Sequence, residues 1–177
     1  MKQVVREIRT YRDFQLHDVG NQGEKILKEL LPKLEKTQYM VFSGTALGLY
    51  RDNDLIPTDT DLDFIIVGNS EERIIRSACQ EYPLVFEIKN DNKTQQLAFN
   101  PFGIIVDFHF YYPDGDNYTC NHYGGTFSIE KEQLDNRTMR ETKYGTIPFP
   151  KDPEKFFRQK YGEDWKVPQY RKKGIYA

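Results

Sequence analysis

Apolar residues recur at helical spacing between Asn21 and Leu34, where Ile26, Leu27, Leu30, Leu31 and Leu34 form one stripe between charged faces. This spacing predicts a helix packed on one side of a sheet, with a kink or early stop near Leu31 because Pro32 cannot donate to the helical ladder. Tyr39 to Phe42 reads as a strand, and Ser43-Gly44-Thr45 then opens a short apolar helix, Ala46 to Tyr50. Beyond a polar stretch, Asp61 to Val67 alternates before turning apolar, the mark of a strand with one face in a core. Ser70 to Glu81 predicts a second helix, with Ser70 as its N-cap, Glu71 and Glu72 in its first turn and Pro83 just beyond its end. Leu84 to Asn90 and Gln95 to Asn100 read as a hairpin closed through Asp91-Asn92-Lys93, and Gly103 to Tyr112 as a further strand. The order strand, helix, strand, helix, hairpin, strand predicts an α+β sheet with helices on one face. Asp114-Gly115 and Gly124-Gly125 mark turns, Asn117 to Leu134 reads as another β excursion, and Pro153 to Tyr161 as a short helix ended by Gly162.

At 177 residues the chain suits one domain, 1–177, that buries roughly 70% of its unfolded surface, with an extension from about residue 150 packed on it. A net charge of −2 lacks the basic surface of a duplex-binding protein, which disfavours template-directed polymerisation and a duplex nucleic-acid partner. Cys79 and Cys120 are too few for a disulfide framework, and no zinc quartet appears at ligand spacing. The N-terminal MKQVVREIRTYRDF has no apolar h-region, and no run approaches the ~18 apolar residues of a membrane span, so the chain reads as cytoplasmic. In that compartment the sequons at Asn92, Asn117 and Asn136 are chance matches.

The candidate chemistry is concentrated in SGTALGLYRDNDLIPTDTDLDFIIV, Ser43 to Val67. In an extended strand Asp61 and Asp63 point the same way, while Leu62, Phe64 and Ile66 point into the core. Like charges about 4 Å apart repel by roughly 1 kcal/mol in bulk water and about 4 at an effective dielectric near 20. A bridging cation relieves this, and oxygen donors suit Mg²⁺ or Mn²⁺, which leave positions for substrate phosphates. Asp107, inside GIIVDFHFYY, is a third carboxylate on a buried strand. Alone, it is equally explained by pairing with an arginine or lysine; beside Asp61 and Asp63, a shared metal becomes the stronger reading. Gly44 permits close backbone approach and a helix start attracts anions, so Ser43, Gly44 and Thr45 are candidates for binding phosphate, although Ser or Thr before a helix is usually an N-cap.

GTALGLYR followed by LIPTDTDLDF resembles the signature of the LicD and fukutin group, in which G-[ST]-x-L-G-x-x-R precedes I-P-W-D-x-D-x-D. More broadly, the pattern is similar to the polymerase-β type nucleotidyltransferase fold. Tyr161-Gly162-Glu163-Asp164-Trp165 with Pro168 is similar to the Y-G-x-x-[WY]-x-x-P that closes many members. Thr58 stands where the family usually carries Trp, and Thr60 where it often has an acid, so an indole surface for a base or choline-like ammonium is missing. The resemblance implies a mixed sheet and a transferase moving a phospho-alcohol or phospho-sugar from a nucleotide diphosphate donor, of CDP-choline, CDP-ribitol or NDP-sugar type, to a glycan or lipid-linked saccharide. It gives Asp61, Asp63 and Asp107 the metal and catalytic roles.

Arg51 is a candidate for the donor's diphosphate, since a guanidinium makes paired hydrogen bonds; a solvated arginine is the plain alternative. His109 shares a strand face with Asp107 and can act as a base or phosphate contact, though such a histidine is more often simply hydrogen-bonded near the core. Asp59 reads equally as a supporting acid or a turn residue. Trp165, with Tyr161 and Tyr170, offers stacking surfaces for sugar or base, though aromatics near a chain end more often dock the tail onto the core. Arg171-Lys172-Lys173 reads as solvated, or as a contact for an anionic donor or lipid-linked acceptor. Two other functions fit the same residues: nucleotidyl transfer from a nucleoside triphosphate to a small hydroxyl or amine acceptor, and a catalytically silent nucleotide-binding module.

Overall fold

A computed structural model describes residues 3–7, 19–122 and 125–168. In chain order the elements are β1 (Gln3–Glu7), α1 (Gly20–Leu34), β2 (Tyr39–Val41), α2 (Ser43–Arg51), β3 (Asp61–Val67), α3 (Glu72–Ala78), β4 (Leu84–Asn90) and β5 (Lys93–Phe99). They continue with β6 (Ile105–Asp114), β7 (Asn117–His122), β8 (Gly125–Glu130), α4 (Lys131–Asp135), β9 (Thr138–Thr142), β10 (Gly145–Phe149) and α5 (Pro153–Tyr161). The main sheet runs β1-β4-β5-β6-β3-β2, with β7 on the far end of β6 and β8 on β7; β9 and β10 form a separate hairpin. β3 and β6 are parallel and their sheet neighbours antiparallel, which makes the sheet mixed.

Period-two alternation gives the sheet two chemically different faces. Leu62, Phe64 and Ile66 of β3, Val106, Phe108 and Phe110 of β6, and Leu97 and Phe99 of β5 face a helical layer and join one core with Ile26, Leu27, Leu30 and Leu34 of α1. Ala46, Leu47 and Leu49 of α2, Ile75 and Ala78 of α3 and Phe157 of α5 complete it, so the helices pack mainly on one face as expected. Phe64 and Phe108 stack at its centre with centroids 5.3 Å apart. The opposite face carries two smaller apolar clusters, one around Met40, Ile65, Tyr111 and Leu134 and the other around Val85, Ile88, Ala98 and Ile105. The polar residues of β3 and β6 also lie on this face.

Several boundaries differ from the sequence expectation. α1 runs through Pro32 to Leu34, because the buried Leu34 anchors its last turn. α2 begins at Ser43 itself, in the left-handed region (φ 51°), and Phe42 takes the cap position. α3 is shorter than Ser70 to Glu81; Glu71 holds its cap position and the Ser70 hydroxyl turns to the Glu71 carboxylate. The β4–β5 hairpin closes through two residues, Asp91 and Asn92, both at positive φ, as the favoured two-residue turn requires. The β excursion after Asn117 is the β7–β8 hairpin, followed by α4. Tyr170 and Arg171-Lys172-Lys173 lie outside the described residues.

The loop after α2 crosses directly over Gly48. A Cβ there would stand 2.7 Å from the Asp54 carbonyl oxygen and 2.9 Å from the Ile56 nitrogen, both backbone atoms. Gly48→Ala is therefore expected to cost about 1–3 kcal/mol, read as an earlier urea midpoint, and an unchanged midpoint would contradict this packing.

Candidate active site

Asp63 and Asp107 are direct neighbours in the parallel β3–β6 register, with Asp61 opposite Ile105 two residues earlier. The helix start and the acidic strand are tied together by two hydrogen bonds. The Asp63 backbone N–H donates to the Thr45 hydroxyl (2.9 Å), and the Phe42 N–H donates to the Asp63 carbonyl (3.0 Å). Gln96 of β5, opposite His109, donates its amide to Asp107 Oδ1 (2.7 Å). His109 Nε2 lies 3.4 Å from Asp63 Oδ1. One donor atom from each of Asp63, Asp107 and His109 falls within 4.8 Å of the others. All three residues are buried, at 7–8% exposure.

Burial and like charge act in the same direction on the acids. Burial, the charges of Asp63 and Asp59, a hydrogen bond with Asp59 and the charge of Asp107 hold Asp61 far above the carboxylate range. Burial and the charge of Asp63 push Asp107 up to about 6, although the His109 charge and the Gln96 hydrogen bond pull it down. Burial pulls His109 down, but its hydrogen bond to Asp63 and the charges of Asp107 and Asp63 leave it above the usual histidine value. His122, whose ring lies 5.3 Å from that of His109, is pushed down to about 4 by burial and the charge of His109. Crowded carboxylates with an imidazole beside them form a donor set that a divalent cation fits, and the carboxylates suit Mg²⁺ or Mn²⁺.

The profile of the LicD/FKTN/FKRP nucleotidyltransferase domain matches residues 36–152, about two thirds of the chain and the whole of this site. The chain belongs to the LicD/FKTN/FKRP nucleotidyltransferase-domain family. Its fold is similar to a crystal structure from Thermotoga maritima described provisionally as a nucleotidyltransferase, with a TM-score of 0.54 and 16% identity over 82% of this chain and 86% of that one. A solution structure of the antibiotic-resistance factor ANT(2'')-Ia also aligns, with a TM-score of 0.48 and 9% identity over 81% of this chain and 76% of that one. No curated protein matches the chain significantly. The LicD assignment makes this chain a transferase with a nucleotidyltransferase fold, acting on nucleotide-related substrates.

Within the LicD domain, the structure sorts the residues singled out from sequence. Asp63, Asp107 and His109 come together; Asp61 lies beside them, within Coulombic reach and held by Asp59. Asp59 combines both of its expected roles, since its N–H closes a turn onto Ile56 O while its carboxylate supports Asp61. Ser43 and Gly44 stand at the start of α2, but a Cβ at Gly44 would collide with the Asp59 carboxylate, so its missing side chain makes room for Asp59. Thr45 is 2% exposed, and its hydroxyl ties α2 to β3.

Two other candidates stand apart from the cluster. Arg51 sits at the far end of α2, about 10 Å along the axis from Gly44, with its guanidinium on Asp52 at 2.6–3.0 Å. Trp165 is a core residue at 4% exposure, packed against Tyr50 and Phe157 at 5.8 and 5.1 Å, and so docks the C-terminal segment and presents no stacking surface. Gln96 was missed; its signal was a glutamine in a strand that is otherwise buried, blurred by the adjacent Gln95.

The raised acids set a pH dependence for the metal-free protein. Each contributes stability that is fully present below the ordinary carboxylate value of about 4 and is lost as pH climbs through its raised value, about 6 for Asp107 and higher for Asp61. Thermal unfolding in chelator should therefore show a midpoint falling from pH 5 to pH 8. Asp61→Asn should flatten that fall, and a midpoint that rises over this range would contradict the assignment.

Proposed function

We propose that this LicD-domain chain is a metal-dependent transferase that moves a phospho-alcohol or phospho-sugar from a nucleotide diphosphate donor, of CDP-choline, CDP-ribitol or NDP-sugar type, to a hydroxyl of a glycan or lipid-linked saccharide. The observation that carries this reading is the Asp63, Asp107 and His109 cluster across β3 and β6, at the helix start that opens α2. Asp61, Asp63 and Asp107, with His109, would hold Mg²⁺ or Mn²⁺. That ion supplies charge stabilisation to the donor's phosphate oxygens. Ser43 and Gly44 would turn the first backbone N–H groups of α2 toward the donor. Gln96 fixes one oxygen of Asp107, which leaves the other as the site's proton acceptor.

The reading is tested with purified protein, Mg²⁺, a saccharide acceptor and a panel of CDP-alcohols, NDP-sugars, ATP and CTP, by identifying the nucleotide product. Release of a nucleoside monophosphate is expected; pyrophosphate released from a triphosphate would replace this reading with nucleotidyl transfer. Asp63→Ala and Asp107→Ala should each lower turnover by more than about a hundredfold while circular dichroism stays unchanged. An active Asp63→Ala protein would overturn the mechanism.

A further inference from the structure

We propose that Lys160 is the cation that receives the donor's diphosphate, a role for which the sequence pattern pointed to Arg51; this inference rests on the function proposed above. The basic side chains of α5 divide into two groups. Lys155 pairs with Glu130, and Arg158 with Glu154 and Glu163, all on the surface. Lys160 instead places its amine 4.2 Å above the ring of Phe42 and 5.9 Å from that of Tyr161.

Phe42 is the residue through which the site is joined. Its N–H donates to the Asp63 carbonyl, its own carbonyl accepts from Ala46 N–H in the first turn of α2, and its ring meets the His109 ring edge-on at 5.9 Å. Phe156 of α5 packs on the same ring at 5.8 Å, so α5 cannot shift without carrying this contact. An amine held over Phe42 therefore stands beside both the α2 start and the acid cluster. Its charge reaches both sides of that cluster: burial lowers its pKa while Asp63 raises it, and it in turn lowers that of His109. The residue as a whole is exposed while its amine is the shielded end, so a ligand entering the acid cluster would meet the amine where it lies over Phe42.

The charge balance gives this cation its use. Asp61, Asp63 and Asp107 together can offset a divalent ion, which leaves the negative charge of an incoming diphosphate uncompensated. Arg51 stands at the distal end of α2, where it pairs with Asp52, whereas Lys160 already lies beside the acid cluster. A lysine ammonium is a mobile point charge with three donors, suited to a diphosphate whose oxygens also face a metal. A plainer role is mechanical: Lys160 would only clamp α5 onto Phe42.

Calorimetric titration with Mn²⁺, followed by inorganic pyrophosphate in saturating Mn²⁺, separates these roles in wild type, Lys160→Met and Lys160→Arg. All three proteins should bind Mn²⁺, Lys160→Met no more weakly than wild type because it loses a positive charge beside the acids. Lys160→Met should bind pyrophosphate about tenfold or more weakly with a shallower salt dependence, and Lys160→Arg should recover most of the affinity. Wild-type pyrophosphate affinity in Lys160→Met, with or without a lower melting temperature, would overturn the inference in favour of the clamp and leave the proposed function standing. Mn²⁺ binding without any pyrophosphate binding by wild type would likewise overturn the inference alone. A wild-type protein that binds no Mn²⁺ would overturn both.

Discussion

Two aspartates held side by side in a parallel strand pair are the constraint from which the rest of the site follows. β3 and β6 cannot rotate Asp63 and Asp107 apart, because the intervening residues Leu62, Phe64, Val106 and Phe108 are buried in the helical core on the other face. At the spacing of neighbouring strands, about 4.8 Å, two carboxylates at an effective dielectric near 20 repel by roughly 3 kcal/mol. Protonation, hydrogen bonding and a cation are the available reliefs, and the structure uses the first two: Asp61 and Asp107 hold their protons to unusually high pH, and Gln96 donates to Asp107. A divalent ion at the same place would relieve the strain more fully. Binding of such an ion would recover the cost of assembling the acids and so couple stability to occupancy.

The apolar face thus serves the polar one. Thr45 and Phe42 each spend a hydrogen bond fixing α2 against β3 at Asp63, so the helix start and the carboxylates keep one relative position. α5 completes this arrangement from the C-terminal side. Phe157 and Trp165 seat it in the helical core, Phe156 sets it against Phe42, and Lys160 reaches over the same ring. Nothing in this scheme selects a headgroup; the roles proposed for these residues, toward metal, phosphate and a proton, are common to every donor of the class.

Local pattern carried much of this into the sequence. The Asp61 to Val67 alternation placed two acids on one face and their neighbours in the core, and the same parity put His109 with Asp107 before any pairing was known. The hairpin, the α5 boundaries and the family signature were likewise short-range signals. What the sequence could not show was pairing. That β3 lies parallel to β6, and that β5 brings Gln96 to Asp107, are facts about strands separated by tens of residues. The surroundings of Trp165 and Arg51 were hidden for the same reason, since docking of the C-terminal segment and the length of α2 decide what each touches. Lys160 gave no local sign at all, being one of several basic residues on an amphipathic helix.

Whether Asp63, Asp107 and His109 form one divalent-cation site can be read from pulsed electron paramagnetic resonance of bound Mn²⁺. Nitrogen modulation from a single imidazole is expected, disappearing in His109→Ala, with loss of tight Mn²⁺ binding in both Asp63→Asn and Asp107→Asn. Mn²⁺ that keeps only water oxygens around it, or that binds equally well without Asp63, would contradict such a site.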